Sequence, residues 1–282
     1  MSNPGKQPAP SRANLTLLSS TATPDVSIDP LASVHADAVL GEGCSIGPYA
    51  VIGADVTLGA NCVVQPHGVV TGPTVMGANN VVFPFACVGG APQDLRHRGE
   101  ATMLRIGDGN TFREHVTISR GTVHGGGETI IGNDNLFMAY CHIAHDCILG
   151  NRIVMANGAT LAGHVTVQDY AVFGGMVAVA SFVRIGESAM LAAGAMLEKD
   201  VPPFSMVAGN RASLRGVNRV GIARRKFSAA AQLEIKRVIR MLKKKSEPLA
   251  ILHQEFQKMT MQTPEGARLQ AFLAQLPRGV TR

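Results

Sequence analysis

Three histidines stand close together in the second half of the sequence, and their residue type predicts proton transfer or metal binding. His142 and His145 belong to the segment Cys141-His-Ile-Ala-His-Asp146, and His164 follows. An imidazole gains or loses its proton near neutral pH, so histidine serves well as a general acid or base. Histidine is also a common zinc ligand. The residues alone leave three interpretations open: acid–base catalysis, a zinc site, and solvated surface histidines.

The elements that position these histidines repeat every six residues. From Ile28, each sixth residue is apolar in an unbroken series to Val88; the phase restarts at Ile106 and again at Ile131, from which it reaches Leu197. A small residue often stands two places before the apolar one, and glycine often follows it. Glycine at such a corner is expected to supply the positive φ that a tight turn requires. Two inward positions in six residues fit a short strand followed by a turn.

This period predicts an all-β fold, a parallel β-helix shaped as a triangular prism. Three hexads would close one coil of about eighteen residues, with coils stacked about 4.8 Å apart, the spacing of hydrogen-bonded strands. We expect this β-helix over residues 25–203, with loops at 90–103 and 120–128, where the apolar positions lapse. Loops that leave a regular scaffold often carry function.

Both ends of the sequence lack the repeat. Residues 1–24 are rich in proline, serine and threonine, and we expect them to be a disordered N-terminal extension. After the segment Val201-Pro-Pro203, the composition of residues 204–282 predicts a small, basic α-helical domain. Ser228 is a candidate helix cap in this domain, and Pro264 suits the first position of its last helix.

The eighteen-residue coil also predicts which residues stack on His145. Adding eighteen gives Gly163, and adding it again gives Ser181, so these three residues should form one column along the prism. His164 stands beside the middle member of the column. His142 precedes an inward apolar residue and should therefore point outward. We expect the three imidazoles to cluster on the outside of two adjacent coils.

Most of the cysteines follow the repeat as well. Four of the five occupy the small inward position and are expected to be buried thiols: Cys44, Cys62, Cys141 and Cys147. Neither a disulfide framework nor a cysteine metal site follows from this placement.

Charge and hydropathy limit the partners. A net charge of +6 suits acidic partners such as nucleic acid, a phosphate ligand or an acidic protein. No apolar run approaches the roughly eighteen residues that a transmembrane helix needs. We therefore expect a cytoplasmic protein without a transmembrane segment.

Beyond the repeat, the chain contains several specific motifs. They are Gln93-Asp-Leu95, Arg120-Gly-Thr-Val-His-Gly-Gly-Gly127, His142-Ile-Ala-His-Asp146, Ala159-Thr-Leu-Ala-Gly-His164, Asp200-Val-Pro-Pro203 and Gly216-Val-Asn218. Together with the helical tail, they resemble the acyl-carrier-protein–UDP-N-acetylglucosamine O-acyltransferases, which start lipid A synthesis. The resemblance covers about residues 26–282.

The resemblance implies a left-handed β-helix and a defined reaction. An (R)-3-hydroxyacyl group would pass from acyl carrier protein to the 3-hydroxyl of UDP-N-acetylglucosamine. No cofactor is implied beyond the phosphopantetheine that carries the acyl group, and nucleic acid is not a partner. Members of the family are homotrimers with the active sites between subunits, so the same assembly is implied here.

The resemblance also implies roles for individual residues. His145 matches the general base, Asp146 the neighbouring carboxylate that is a candidate to orient it, and Gly163 the backbone donor to the oxyanion. The matching substrate-binding positions are Asp94, Arg96, His142, His164, Ser181, Ala193, Asn218, Arg224 and Arg225.

Some positions depart from the family pattern. Arg96 stands in place of the usual lysine, Ala180 and Ser181 replace a usual His-Gln pair, and Val220 replaces an acidic nucleotide contact. Ala193 occupies the position that limits acyl-chain length, often glycine, so we expect an acyl chain no longer than the family's long ones. These departures leave open transfer to an amino-sugar nucleotide, or a paralogue that binds without catalysis. A zinc enzyme with three histidine ligands, as in the gamma-class carbonic anhydrases, also stays open.

Overall fold

Short strands wind into stacked coils in the computed structural model, which describes residues 25–244, 248–276 and 279–282. The predicted extension over residues 1–24 lies outside the described residues. The strands are β1 Ser27–Ile28, β2 Ser33–Val34, β3 Val39–Leu40, β4 Ser45–Ile46, β5 Val51–Ile52, β6 Val56–Leu58, β7 Val63–Val64, β8 Val69–Val70, β9 Thr74–Met76, β10 Val81–Val82, β11 Cys87–Gly90, β12 Met103–Ile106, β13 Thr111–Phe112, β14 Thr117–Ser119, β15 Glu128–Ile131, β16 Leu136–Phe137, β17 His142–Ile143, β18 Ile148–Leu149, β19 Val154–Met155, β20 Thr160–Leu161, β21 Thr166–Val167, β22 Val172–Phe173, β23 Ala178–Val179, β24 Arg184–Ile185, β25 Met190–Leu191, β26 Met196–Leu197, β27 Ser205–Ala208 and β28 Ser213–Val217.

The strands form three sheets, one on each face of the prism. Sheet A contains β1, β4, β7, β10, β13, β16, β19, β22, β25, β27 and β28; sheet B contains β2, β5, β8, β11, β14, β17, β20, β23 and β26; sheet C contains β3, β6, β9, β12, β15, β18, β21 and β24. In the regular part of the prism each strand pairs in parallel with the strand one coil further on. Ile143, for example, lies beside Leu161, eighteen residues later. The predicted β-helix is confirmed.

From Cys44 onward, most inward residues of the coils form one continuous apolar core. Its large members include Phe112 and Phe137, whose rings stack 5.4 Å apart. The four predicted core cysteines are buried with free thiols: Cys44, Cys62, Cys141 and Cys147. Burial raises the pKa of Cys141 to about 11 and that of Cys147 to about 12, so both remain protonated at neutral pH.

The glycines that follow the apolar residues allow close approach between coils. A Cβ atom on Gly59 would lie 2.5 Å from the carbonyl carbon of Gly77 in the next coil. Positive φ falls instead on the residues two places after these glycines, such as Tyr49 at 59° after Gly47 and Asn61 at 57° after Gly59. The expectation that these glycines supply the positive φ is wrong. They are required because neighbouring coils pack at the spacing of paired strands.

Two loops leave the prism where the repeat lapses. One joins β11 to β12 across residues 91–102, and the other joins β14 to β15 across residues 120–127. Both connect a strand of sheet B to a strand of sheet C, and they leave from adjacent coils. His145 lies in the turn between β17 and β18, which is the same corner of the prism one coil further on. The two loops therefore emerge beside the predicted catalytic histidine.

Strand pairing continues beyond residue 203 before the helices begin. β27 pairs with β25 in sheet A, and the chain then turns back through the antiparallel strand β28. In the part of this region that the structure describes, four helices follow: α1 Arg219–Arg224, α2 Ala229–Leu242, α3 Leu249–Lys258 and α4 Pro264–Ala274. The side chains of Ser228 and Thr263 cap α2 and α4, because each accepts a hydrogen bond from a backbone N–H in the first turn.

The last helix is tied to the prism by Arg184 of β24. Its guanidinium pairs with the buried carboxylate of Asp200 at 2.8 Å and lies 4.5 Å from the ring centre of Phe272 in α4. It also donates to the backbone oxygen of Phe272 at 3.3 Å. Within the described residues, no helix combines the length and the apolar character that crossing a membrane requires.

Candidate active site

His145 and Asp146 form a hydrogen-bonded pair at the corner between sheets B and C. The Nδ1 atom of His145 lies 2.7 Å from Oδ2 of Asp146, whose side chain is fully buried. Thr122 in the second loop holds the carboxylate: its N–H donates to Oδ1 at 2.8 Å and its hydroxyl to Oδ2 at 2.7 Å. The backbone N–H of Asp146 donates to the hydroxyl of Thr129 at 2.8 Å. The carboxylate is thereby fixed, and it fixes the imidazole in turn.

Thr122 is a residue of the candidate site that the sequence reasoning did not single out. Its segment, Arg-Gly-Thr in the second loop, belongs to one of the specific motifs, and the lapse in the repeat at this point was the available signal. The loop's contribution is to supply two donors to a buried carboxylate.

The structure places Gly163 one coil above His145, at the position that the column predicts. A Cβ atom on Gly163 would lie 2.6 Å from Cε1 and 2.9 Å from Nε2 of His145, so the imidazole lies against the glycine backbone. The N–H of Gly163 makes no hydrogen bond to the described part of the chain. The corner therefore combines an imidazole with an adjacent backbone N–H that the described residues leave without an acceptor.

The other two histidines flank this pair. His142 lies on sheet B, with Nδ1 2.7 Å from the hydroxyl of Thr117. Burial, and then the neighbouring His145, lower the pKa of His142. His164 stacks on the ring of Phe182 at 4.4 Å and meets the edge of His145 at 5.2 Å. Desolvation lowers the pKa of His164, although Asp146 opposes that shift. Both rings are accordingly biased toward the neutral form.

Within the described residues, the donor atoms of His145, Asp146 and His164 all lie within 4.8 Å of one another, close enough to bind a metal ion. The two carboxylate oxygens already accept hydrogen bonds from the N–H and hydroxyl of Thr122 and face Nδ1 of His145. A metal ion would have to displace these partners. The arrangement fits a histidine oriented for proton transfer better than a set of ligands.

A cavity of about 590 Å³ opens onto this site. Its lining combines His142, His145 and Gly163 with Gln93 of the first loop and small residues of sheet B and its corner. Asp94, next to Gln93, forms a salt bridge with Arg96 at 2.7 Å, and this arginine holds the pKa of Asp94 well below its usual range. Of the first loop, Gln93 lines the cavity, whereas Asp94 and Arg96 do not, so their contacts with substrate stay predictions.

Ser181 and Ala193 do not belong to the lining of this cavity. Ser181 lies beside Phe182, whose N–H donates to the oxygen of Gly163 at 3.2 Å. Ala193 is exposed, and its Cα would lie 2.8 Å from a Cβ atom on Gly174. The proposed contacts of these two residues with substrate stay predictions.

The predicted nucleotide-binding residues lie on a different face of the prism. Asn218 and Arg224 line a second cavity of about 650 Å³, whose apolar floor is formed by residues of sheet A. Arg215, Arg219 and Val220 also line it, and no carboxylate does. This cavity is therefore cationic. The sequence reasoning predicted Arg224 but missed Arg215 and Arg219.

Arg225 does not line the second cavity. It instead pairs with the carboxylate of Glu187 and donates to the hydroxyl of Ser188 at 3.0 Å. Within a single chain, the imidazole cluster and the cationic cavity thus lie on different faces of the prism, on sheet B and sheet A respectively.

Coils of hexapeptide repeats that carry an imidazole–carboxylate pair at one corner define a hexapeptide-repeat transferase. A family model described as bacterial transferase hexapeptide matches residues 24–54, 37–72 and 128–163. A second model, described as domain 2 of UDP-N-acetylglucosamine O-acyltransferase, matches residues 200–281.

Curated relatives and solved structures narrow the class further. The acyl-(acyl-carrier-protein)–UDP-N-acetylglucosamine O-acyltransferase of Verminephrobacter eiseniae is 46% identical over 201 residues, which cover 70% of this chain and 77% of that protein. The UDP-N-acetylglucosamine acyltransferase of Francisella novicida superposes with a TM-score of 0.87 at 35% identity, over 90% of this chain and 94% of that one. The Arabidopsis enzyme does so with a TM-score of 0.75 at 31% identity, over 90% and 100%. The chain belongs to the acyl-(acyl-carrier-protein)–UDP-N-acetylglucosamine O-acyltransferase family.

Proposed function

We propose that this chain transfers an (R)-3-hydroxyacyl group from acyl carrier protein to the 3-hydroxyl of UDP-N-acetylglucosamine, the first step of lipid A biosynthesis. One observation carries the proposal: His145 is fixed by a buried carboxylate and packs against the backbone of Gly163, whose N–H makes no hydrogen bond within the described residues. A base next to an oxyanion donor suits attack of a hydroxyl on a thioester. The cytoplasmic location predicted from the sequence belongs to the same proposal.

In the first step, His145 accepts the proton of the sugar 3-hydroxyl while the hydroxyl oxygen bonds to the thioester carbon. Asp146 holds Nδ1 of the imidazole, which leaves Nε2 as the proton acceptor. The carbonyl oxygen of the thioester becomes an oxyanion, to which the Gly163 N–H donates. A preorganised donor of this kind contributes about 3–4 kcal/mol to the transition state.

In the second step, the tetrahedral intermediate collapses and the carbon–sulfur bond breaks. The phosphopantetheine thiolate leaves and takes the proton from the His145 imidazolium, which restores the neutral base. The electron pair of the oxyanion re-forms the carbonyl of the new ester. No redox partner or metal ion is needed to balance these steps.

The acceptor's nucleotide is assigned to the cationic cavity on sheet A. Three arginine side chains around an apolar floor suit a diphosphate and a base. Because the imidazole cluster is on sheet B, we propose that the cavity of one subunit serves the histidine of its neighbour. The homotrimer implied by the family resemblance provides such pairs.

Subunit mixing tests this shared site. His145→Ala and Arg224→Ala chains, co-produced with different tags and purified as mixed trimers, should regain activity that neither variant has alone. A closed ring of three contains one neighbouring pair with both residues intact, so about one third of the wild-type rate per trimer is expected. Light scattering should give the mass of a trimer. Mixed trimers as inactive as either parent would contradict a site shared between subunits.

The reaction itself is tested with a pool of acyl carrier proteins loaded with hydroxyacyl chains of different lengths. Mass spectrometry should detect 3-O-acyl UDP-N-acetylglucosamine, formed with release of the free carrier thiol. The methyl group of Ala193 is expected to disfavour the longest chains in the pool. Absence of any acylated sugar nucleotide would refute the proposed function, whereas a clear preference for the longest chain would refute only the role of Ala193.

A further inference from the structure

Glu187 is a carboxylate at the centre of a network that joins three parts of the chain. It follows β24 in the prism, and only 9% of the residue is exposed. One carboxylate oxygen accepts from Arg225, just after α1, and the other accepts from Nε of Arg268 in α4 at 2.7 Å. Its backbone N–H donates to the side chain of Gln168 at 2.9 Å, which holds the glutamate to the neighbouring coil. We call Glu187, Ser188, Arg225 and Arg268 the Glu187 cluster.

The Glu187 cluster anchors both ends of α1. At the N-terminal end, the amide of Asn218 donates to the backbone oxygen of Ser188 at 2.9 Å and accepts from the N–H of Gly221 at 3.0 Å. At the C-terminal end, Arg225 binds Glu187 and the hydroxyl of Ser188. Two consecutive residues of the prism thus fix a helix of only six residues, which could not hold its shape alone.

The guanidinium of Arg225 is engaged by residues of its own chain. It lies 4.1 Å from the ring centre of Tyr170 and 4.9 Å from that of Phe227, with 23% of its side chain exposed. Its charge is met by the nearly buried carboxylate of Glu187. A phosphate that sought Arg225 would have to break this pair and enter between the two rings. Arg224 and Arg219, by contrast, line the cationic cavity directly.

We propose that Glu187 is a positioning residue for the acceptor's nucleotide. It binds Arg225, the residue just after α1, and thereby holds that helix in place. The pair holds α1 so that Arg219 and Arg224 face the floor of the cavity, and Arg225 itself does not bind phosphate. The family resemblance assigns Asn218 and Arg225 to the nucleotide, but their polar groups hold the helix. This inference rests on the proposed function, because it assumes that the cavity binds the nucleotide part of the acceptor.

The substitution Glu187→Gln distinguishes two possible roles of Arg225, holding α1 or binding phosphate, by the direction in which KM changes. If Glu187 positions α1, loss of its charge loosens the helix, and the KM for UDP-N-acetylglucosamine should rise about tenfold with kcat little changed. If Arg225 were a phosphate ligand restrained by Glu187, the same substitution would free the cation, and KM should fall. The milder variant Ser188→Ala removes the second acceptor of Arg225 and should raise KM about two- to threefold in the same direction.

Glu265→Gln is the matched control. Glu265 binds the same Arg268 at 3.2 Å, but this ion pair does not involve Arg225. Its neutralisation should leave KM and kcat as in the wild type.

Calorimetric titration with UDP provides a readout apart from catalysis. The wild type should bind UDP, Glu187→Gln about tenfold more weakly, and Glu265→Gln as the wild type does. Wild-type protein that bound no UDP would refute the assignment of the cavity in the proposed function. Wild-type binding with unchanged or tighter binding by Glu187→Gln and Ser188→Ala would refute the positioning role alone.

Discussion

Replacement of His145 by alanine is expected to lower kcat by about 10²–10⁴-fold, the usual contribution of a positioned general base. The two neighbouring imidazoles already have other partners. Nδ1 of His142 faces the hydroxyl of Thr117, and the ring of His164 is stacked on Phe182. Steady-state rates with acyl carrier protein and UDP-N-acetylglucosamine measure the effect, and calorimetric UDP binding should stay near the wild-type value.

His115→Ala is the control for loss of a corner imidazole. His115 also lies in a left-handed turn of the prism, at φ 59°, and its ring stacks between Phe85 and Tyr140. Its removal should cost some thermal stability and leave kcat unchanged, whereas His145→Ala should keep the thermal midpoint and lose the rate. A His145→Ala protein that retained most of its activity would show that another group is the base.

The stacking of Gly163 on His145 could be predicted from the sequence because the fold has one dominant period. A coil of eighteen residues fixes which residues are neighbours along the prism, so the contact between His145 and Gly163 followed from arithmetic. Parallel pairing in register enforces the same rule at every coil, as Ile143 and Leu161 show. Residues inside the regular repeat could therefore be placed from their spacing alone.

Contacts made by irregular segments could not be predicted in this way. Thr122 reaches Asp146 from a loop that has left the repeat, and no period gives the path of that loop. Arg225, just after α1, and Arg268, in α4, meet Glu187 from positions 38 and 81 residues away, and the docking of both helices depends on packing with the prism. The wrong role predicted for the repeat glycines has a related cause. Spacing shows where a turn lies, but not which of its residues takes the positive φ.

These irregular contacts determine the protonation of His145, the proposed general base. The regular prism brings His145 to Gly163, but it does not decide which nitrogen of the imidazole carries the proton. Asp146 determines the tautomer. An ionised carboxylate can only accept a hydrogen bond, so the facing Nδ1 must carry the proton. Thr122 in turn fixes the carboxylate with two donated hydrogen bonds. The irregular loop thus sets the protonation of a group placed by the regular repeat.

Replacement of Asp146 by asparagine is accordingly expected to lower kcat by about 10²–10³-fold, although the side chain keeps its shape. The carboxylate oxygens of Asp146 face three partners: the N–H and hydroxyl of Thr122 and Nδ1 of His145. An amide has a single oxygen. If its NH₂ group faces His145, Nδ1 must accept and Nε2 must carry the proton, so Nε2 can no longer act as the base.

A pH–rate profile distinguishes this cause from a simple change in ionisation. An imidazole held in the wrong tautomer does not become active when the pH is raised, so the Asp146→Asn protein should stay slow across the alkaline range. Asp134→Asn is the matched control. Asp134 also occupies a left-handed corner, at φ 57°, but its exposed carboxylate pairs with Arg152 at 3.6 Å on a different corner of the prism. This control should keep the wild-type rate, and full recovery of Asp146→Asn at high pH would contradict the orienting role of Asp146.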